Sequence, residues 1–298
     1  MTRVVFVLAP GVHLLDLAGP AQVFFNDELD YELHYVAEHA EVRTAQGLPV
    51  VAKQEWPELT PDDLVVVPGW RAPTLATTFA LSQSTLDRLR RHHDSGGMVV
   101  SVCAGADALG RARLLDGRRC TTHHDLQDEL ADRHPQATVV RDVLYVVDGR
   151  IATSAGIASG IDLALHLVAN RHGPAVAARV ARSMVVYARR NGDEQQASAM
   201  LRHRSHVDDT VHRVQDLIDA RFTAQLPLSA LAFAAGCSER TVTRLFGRAT
   251  GLTPLRYQHL LRLERAEHLI GHGTTVDSAA HAVGFEDARM LRRLRARA

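Results

Sequence analysis

Short, largely apolar runs alternate with helical patterns through the first 190 residues. The runs are Val4–Leu8, Leu33–Ala37, Leu64–Val67, Met98–Val102, Leu144–Val147 and Ile151–Thr153. A strand that is apolar at successive positions must be covered on both faces, as happens in a parallel sheet flanked by helices. The intervening segments Leu14–Phe25, Ser82–His93, Ala104–Leu114, Ile157–Asn170 and Pro174–Tyr187 read as those helices. His172-Gly173 separates the last two, and Asp148-Gly149 reads as a turn between strands. The pattern predicts an α/β domain, a parallel-sheet sandwich, over residues 1–190.

Residues 191–207 are polar without a sustained apolar period and read as a linker or a frayed helix. Beyond them the periodicity is helical only: Thr210–Phe222, Leu228–Ala235, Glu239–Arg248, Pro254–Ile270, Val276–Val283 and a last helix from about Asp287. Leu228, Leu231-Ala232 and Ala235-Gly236 recur as Val276, Ala279-Ala280 and Val283-Gly284, so residues 208–298 read as a doubled, all-α unit.

Composition adds two constraints. With 46% hydrophobic and 23% charged residues, the chain has the make-up of a folded globular protein, and its 298 residues suit two domains. Its opening apolar run stops at Pro10-Gly11, too short for a signal segment, and no stretch reaches the length needed to span a bilayer. Three cysteines, odd in number and far apart, fit a reducing compartment. A cytoplasmic protein with no membrane partner is expected. The formal net charge of zero hides an asymmetry. Residues 238–298 carry 11 arginines against 6 acidic residues, leaving 23 basic and 28 acidic groups in the rest. A basic terminal module points to a polyanion, although charge alone does not name one.

The segment Leu228 to Phe246 supplies the motif that charge lacks. A short apolar helix, Gly236 at the turn, Ser238 in capping position and a second amphipathic helix make the grammar of a helix-turn-helix. Leu231, Val242, Leu245 and Phe246 form the seam, which leaves Arg240, Thr243 and Arg244 outward, side chains suited to base edges in a major groove. On residues alone, a helical hairpin with solvated arginines fits equally well. The continuous run from Ser238 through Gly251-Leu-Thr-Pro254, Tyr257, Arg262 and Arg265 closely resembles the AraC/XylS-type DNA-binding domain, over residues 208–298. The resemblance implies two helix-turn-helix units set apart by the helix around Leu255–Ile270, with double-stranded promoter DNA as partner. It implies DNA contacts from Ser238, Arg240, Thr241, Thr243 and Arg244 in the first unit, and from Arg289, Arg292 and Arg293 in the second. The match fails at Arg295, where the family carries an aromatic. A loosely packed second unit that contributes mainly charge is therefore expected.

Met98 to Ala106 is a buried strand running into a helix with Cys103 at the crossing, the layout of a nucleophile elbow with sulfur in place of hydroxyl. The elbow would expose the thiol, and the following helix N-terminus would lower its pKa. A buried structural cysteine is the plainer alternative. Asp16 in Leu15-Asp16-Leu17-Ala18-Gly19-Pro20, Pro68-Gly69-Trp70 and Ser154-Ala155-Gly156-Ile157 occur with the elbow in an order that resembles the ThiJ/PfpI branch of the class I glutamine amidotransferase-like superfamily, over about residues 3–190. That likeness implies a flavodoxin-like, amidotransferase-like fold and one pocket ringed by Asp16, Gly69, Trp70, Cys103, Ala104, His123, Ser154 and Ala155. It also implies that the Gly69-Trp70 backbone forms a wall that can bind anions.

Triad enzymes of the superfamily carry a histidine directly after the cysteine or later in the chain. Here Ala104 follows Cys103, and His123 and His124 are the nearby imidazoles. No catalytic residue is assigned firmly. Isonitrile hydratases of the superfamily share Asp-x-x-Gly-Pro and an elbow cysteine, so a Cys-dependent hydratase or amidase is the rival reading, and a sensor oxidised at Cys103 is a third. Amidotransferase-like domains joined to AraC-type tails form a regulator class, which implies a small-molecule effector and a homodimer formed through the sensing domain. No cofactor is expected. His203, His206, Asp208 and His212 lie in a polar segment of a chain with 17 histidines, and no metal site is expected there.

Overall fold

A computed structural model describes residues 2–75, 81–186, 190–193, 196, 203–204, 206–271 and 273–296. Its contacts divide the chain into two compact units, residues 1–196 and 197–298.

In the first unit six strands form one sheet in the order β2-β1-β5-β6-β10-β9. They are β1 (Thr2–Leu8), β2 (Tyr31–Ala37), β5 (Leu64–Val67), β6 (Met98–Val102), β9 (Tyr145–Asp148) and β10 (Ile151–Ser154). All neighbours run parallel except β9, which pairs antiparallel with β10 through the Asp148-Gly149 turn. The four residues of β5 and four of the five of β6 are buried, as the two-sided apolar pattern requires. Helices α1 (Leu14–Phe24), α2 (Gln83–Asp94), α3 (Gly105–Arg111), α4 (Gln127–Arg133), α5 (Ser159–His172) and α6 (Pro174–Ser183) complete the unit. Small pairs, β3 (Glu41–Arg43) with β4 (Pro49–Val51) and β7 (Arg119–Cys120) with β8 (Thr138–Val139), lie outside the main sheet.

Three helix boundaries differ from the sequence reading, each for a local reason. Helix α3 ends at Arg111 because Arg113 turns to positive φ. Helix α5 starts two residues late because Gly156 and Ile157 form a turn with φ of 96° and 51°. Helix α6 stops at Ser183, where Val185 at φ 56° closes the C-terminus; Tyr187 lies outside the described residues.

The expected linker is anchored at both ends. Gly192 C=O accepts N–H groups from Leu144 and Tyr145, and Gln196 donates to Asp142, Thr122 and Val143, all within the first unit. In the second unit Arg204 bonds Asp216 and Asp219, and His206 bonds Gln215. Residues 197–202, between these anchors, lie outside the described residues.

The second unit contains α7 (Asp209–Arg221), α8 (Leu228–Ala235), α9 (Glu239–Thr250), α10 (Pro254–Gly271), α11 (Val276–Ala282) and α12 (Ala288–Arg295). Val214, Ile218, Leu231, Val242, Phe246 and Tyr257 build one core; Leu263, Ala266, Val283, Phe285 and Leu291 build another. Helix α10 feeds both. The second core corrects the expectation of loose packing: Leu291 is fully buried, Leu294 packs beside it, and Arg295 turns outward to Glu267 at 2.7 Å.

Arg262, on α10, is only 7% exposed. Its guanidinium donates to the carbonyls of Phe222 and Ala224, at the end of α7, and of Gly284, in the turn of the second helix pair, while lying over the Phe285 ring. Five N–H donors in a rigid fork suit this task, and the two helix pairs are joined by it.

Candidate functional site

In an open α/β sheet, ligands bind beyond the carboxyl ends of strands where the strand order reverses. Here the order reverses between β1 and β5, and the loops that follow β1, β5, β6 and β10 bring Asp16, Gly69, Cys103 and Gly156 together. Cys103 stands at φ 53°, a strained conformation for a residue with a side chain, so the elbow geometry is present. Its N–H donates to Ser154 C=O at 2.9 Å, and Thr122 donates its hydroxyl to Cys103 C=O at 2.8 Å. Two glycines make the approach of these loops feasible. A Cβ on Gly69 would collide with Asp16 Oδ2 and sit 2.6 Å from Cys103 Cβ, and one on Gly156 would collide with Cys103 Cβ.

Asp16 is fully buried on α1. Its Oδ1 accepts the Ile157 N–H at 2.5 Å, its Oδ2 has no properly oriented partner among the described residues, and the Cys103 thiol and Gly69 N–H flank the carboxyl. Burial pushes the carboxyl above the usual aspartate range, against the opposing pull of the Ile157 N–H and the His13 charge. For Cys103 burial acts first and the Asp16 charge second, and both push the thiol far above its ordinary value, while the Ala104 N–H pulls weakly the other way. The helix-terminus effect expected from the sequence is outweighed. The thiol is also 6% exposed instead of presented to solvent. At neutral pH it is an S–H donor beside a carboxyl.

The remaining predicted residues divide. Ser154 keeps its hydroxyl buried and unpartnered among the described residues, whereas Ala155 uses its N–H on Leu144 C=O. Trp70 is 1% exposed, a core residue whose indole N–H has no partner among the described residues, and Gly69 C=O accepts the His13 N–H. The anion-binding wall expected there is thus a packed strand end with its Gly69 N–H turned to Asp16. His123 is half-buried, with Nδ1 accepting the Asp125 N–H, and burial and then the His124 charge lower its pKa. No imidazole bonds the Cys103 thiol among the described residues, so base-assisted thiolate attack has no partner here. Residues absent from the predicted set are Thr122, Gly156 and Ile157. Thr122 acts through its hydroxyl on a backbone carbonyl, Gly156 through backbone proximity and Ile157 through its N–H, and only the Gly-Ile pair at a strand-to-helix crossing hinted at this.

In the second unit Gly236 ends α8 at φ 66°, and Ser238 caps α9 by accepting the Thr241 N–H. Arg240, Thr243 and Arg244 are exposed on one side of α9, with Thr241 half-buried. Thr243 hydroxyl bonds Glu239 C=O at 2.9 Å. On α12, capped by Asp287, Arg289, Arg292 and Arg293 are exposed; Arg292 reaches Asp277 at 3.4 Å, while the other two make no ion pair among the described residues.

Residues 2–170 match the DJ-1/PfpI family model, more than half the chain. The chain belongs to the DJ-1/PfpI family. This DJ-1/PfpI protein also matches a helix-turn-helix domain over residues 231–298. It is 30% identical over 291 residues to the HTH-type transcriptional regulator CdhR of Pseudomonas aeruginosa, an alignment that covers 94% of this chain and 84% of the relative. It is 36% identical over 169 residues to the isonitrile hydratase of Pseudomonas putida, covering 54% and 68% respectively. In fold, an AraC family transcriptional regulator from Pseudomonas putida superposes with a TM-score of 0.53 at 24% identity, over 62% of this chain and all of that one.

Proposed function

We propose that this protein is a DNA-binding transcription regulator that acts in the cytoplasm, with a DJ-1/PfpI domain that senses a small molecule and joins two copies of the chain. The observation that carries the reading is the coexistence in one chain of a buried polar cluster at the sheet switch point and a doubled helix-turn-helix unit with an outward arginine face. Arg240, Thr243 and Arg244 read base edges in the major groove, and Ser238 and Thr241 hold the helix start against the backbone. Arg289 and Arg293 grip the next groove segment, helped by Arg292 once it leaves Asp277.

The effector is a small polar molecule that accepts from the Cys103 thiol and exchanges hydrogen bonds with Asp16 and Ser154. Buried polar groups without a well-oriented partner among the described residues, Asp16 Oδ2 and Ser154 Oγ, support this, because such groups are costly until a ligand satisfies them. Dimerisation uses an apolar groove of about 450 Å³ between α1, β2 and β4, where Phe25 is 70% and Val51 84% exposed. No helix among the described residues is long and apolar enough to cross a membrane.

A second reading, hydration or amide hydrolysis at the same pocket, is favoured by the Cys103–Asp16 pair and by the likeness to isonitrile hydratase. A protonated thiol without an imidazole partner weighs against the amidase form. Screening small polar compounds by thermal shift tests the sensing function. Hits that stabilise the native protein but not Gly156→Ala support it; hits indifferent to that change, or compounds turned over in a Cys103-dependent way, oppose it.

A further inference from the structure

His123, His124 and Asp125 follow one another in sequence, yet their side chains converge. His123 Nδ1 lies 3.5 Å from Asp125 Oδ2, and His124 Nε2 lies 3.4 Å from Asp125 Oδ1. The two imidazole rings are 4.2 Å apart between centroids, and one ligating atom from each of the three residues falls within 4.8 Å of the others. A tetrahedral cation with bonds of about 2.1 Å sets its ligands roughly 3.4 Å apart. The Asp125 N–H donates to His123 Nδ1 at 3.4 Å and both imidazoles face the Asp125 carboxylate, so the three side chains are already gathered.

The backbone beneath is held from several sides. Thr121 N–H bonds Thr153 hydroxyl at 2.8 Å, Thr121 hydroxyl bonds Val140 C=O, and Thr122 hydroxyl bonds Cys103 C=O. Gln127 and Gln196 both donate side-chain N–H groups to Thr122 C=O. Residues 121–127 are therefore a rigid platform, the condition for a metal site that does not have to be built at each binding event. The set also lies at the edge of the effector pocket: Asp125 is near enough for its charge to act on Cys103, and His13 for its charge to act on both Asp16 and His123.

We propose that His123, His124 and Asp125 form a binding site for a divalent transition cation of the zinc class. Two neutral imidazoles and a carboxylate suit Zn²⁺ in preference to Ca²⁺ or Mg²⁺, which take oxygen ligands. Three protein ligands leave a fourth position to water or to an anionic group of a ligand. The site is distinct from the Cys103–Asp16 pair, and Gln196, which holds the same carbonyl that precedes His123, ends the first unit.

The test uses the full-length protein, stripped with chelator and titrated with Zn²⁺ against a chromophoric competitor. One Zn²⁺ per chain is expected, with affinity lowered at least about tenfold by Asp125→Asn and abolished by the double change His123→Ala, His124→Ala. The double change His206→Ala, His212→Ala, at the other stacked histidine pair, leaves binding intact. Co²⁺ substitution should give the spectrum of a tetrahedral nitrogen and oxygen site without a thiolate charge-transfer band. Far-ultraviolet circular dichroism identical to the native protein confirms that the variants fold, as expected since His124 and Asp125 are exposed. No stoichiometric binding, binding unchanged by His124→Ala, or a thiolate band from Cys103 would each overturn the proposal.

Discussion

The Asp16 carboxylate and the Ile157 N–H meet at 2.5 Å, from positions 141 residues apart. This one bond ties the first helix of the DJ-1/PfpI domain to the loop after β10, where Ile157 stands at positive φ. It also leaves the carboxyl buried with one oxygen lacking a well-oriented partner among the described residues, a cost to stability.

Asp16→Asn follows directly from that cost. An asparagine oxygen still accepts the Ile157 N–H, and the buried charge is gone. Because the folded-state pKa of Asp16 is raised, its protonated form contributes stability that is fully present below the unfolded value of 3.8 and lost as pH rises through the folded value. The variant is therefore expected to be more stable than the native protein at neutral pH, with the gain shrinking to nothing as pH falls towards 3.8. Urea unfolding across that range measures it.

Cys103 should be the least reactive thiol in the native protein despite its elbow. Its raised pKa leaves very little thiolate at neutral pH, and the thiolate is the form that attacks an alkylating reagent. Alkylation followed by mass spectrometry should label half-buried Cys237 at least about tenfold faster. Fast labelling or peroxide oxidation of Cys103 would instead support a redox sensor.

Arg262→Ala takes the guanidinium from three carbonyls: Phe222 and Ala224 keep the Gln258 amide as a donor, Gly284 loses its bond to the clamp, and the packing over Phe285 is lost as well. A loss of at least about 3 kcal/mol from the stability of the helical unit is expected in denaturant unfolding. Lysine should not rescue it, because a single ammonium cannot reproduce the planar fork.

Phe25→Glu places a charge in the apolar groove beside α1. Sedimentation should show a dimer for the native protein and a monomer for the variant, with secondary structure unchanged, because Phe25 makes little contact within its own chain.

How far the fold could be read in advance depended on two-sided burial. Leu64–Val67 and Met98–Val102 were legible to the residue, because a short apolar run, broken only by Ser101 in the second, is suited to burial on both faces of an α/β sheet. The pairs β3–β4 and β7–β8 were missed; they are two or three residues long and carry no period. Of the pocket, Asp16, Gly69 and Cys103 were legible through motif order, which stands in for the long-range proximity that spacing cannot give. The inverted thiol pKa was not legible, since burial and the Asp16 charge are properties of the assembled site. In sequence Arg262 was one of the residues that carry the AraC/XylS resemblance, with no role of its own, and only the fold shows it as a buried clamp. The packing of Leu291 and Leu294 likewise replaced an aromatic whose absence had pointed to a loose second unit.

The central claim, that the outward face of α9 reads specific DNA, is tested by selecting genomic fragments with the purified protein at physiological salt and repeating the selection with Arg244→Ala. Enrichment of a few upstream regions, lost in the variant with a penalty of about 1–3 kcal/mol at the best site, is the predicted result. Weak, salt-sensitive binding with no sequence preference, equal in the native protein and the variant, would contradict the account.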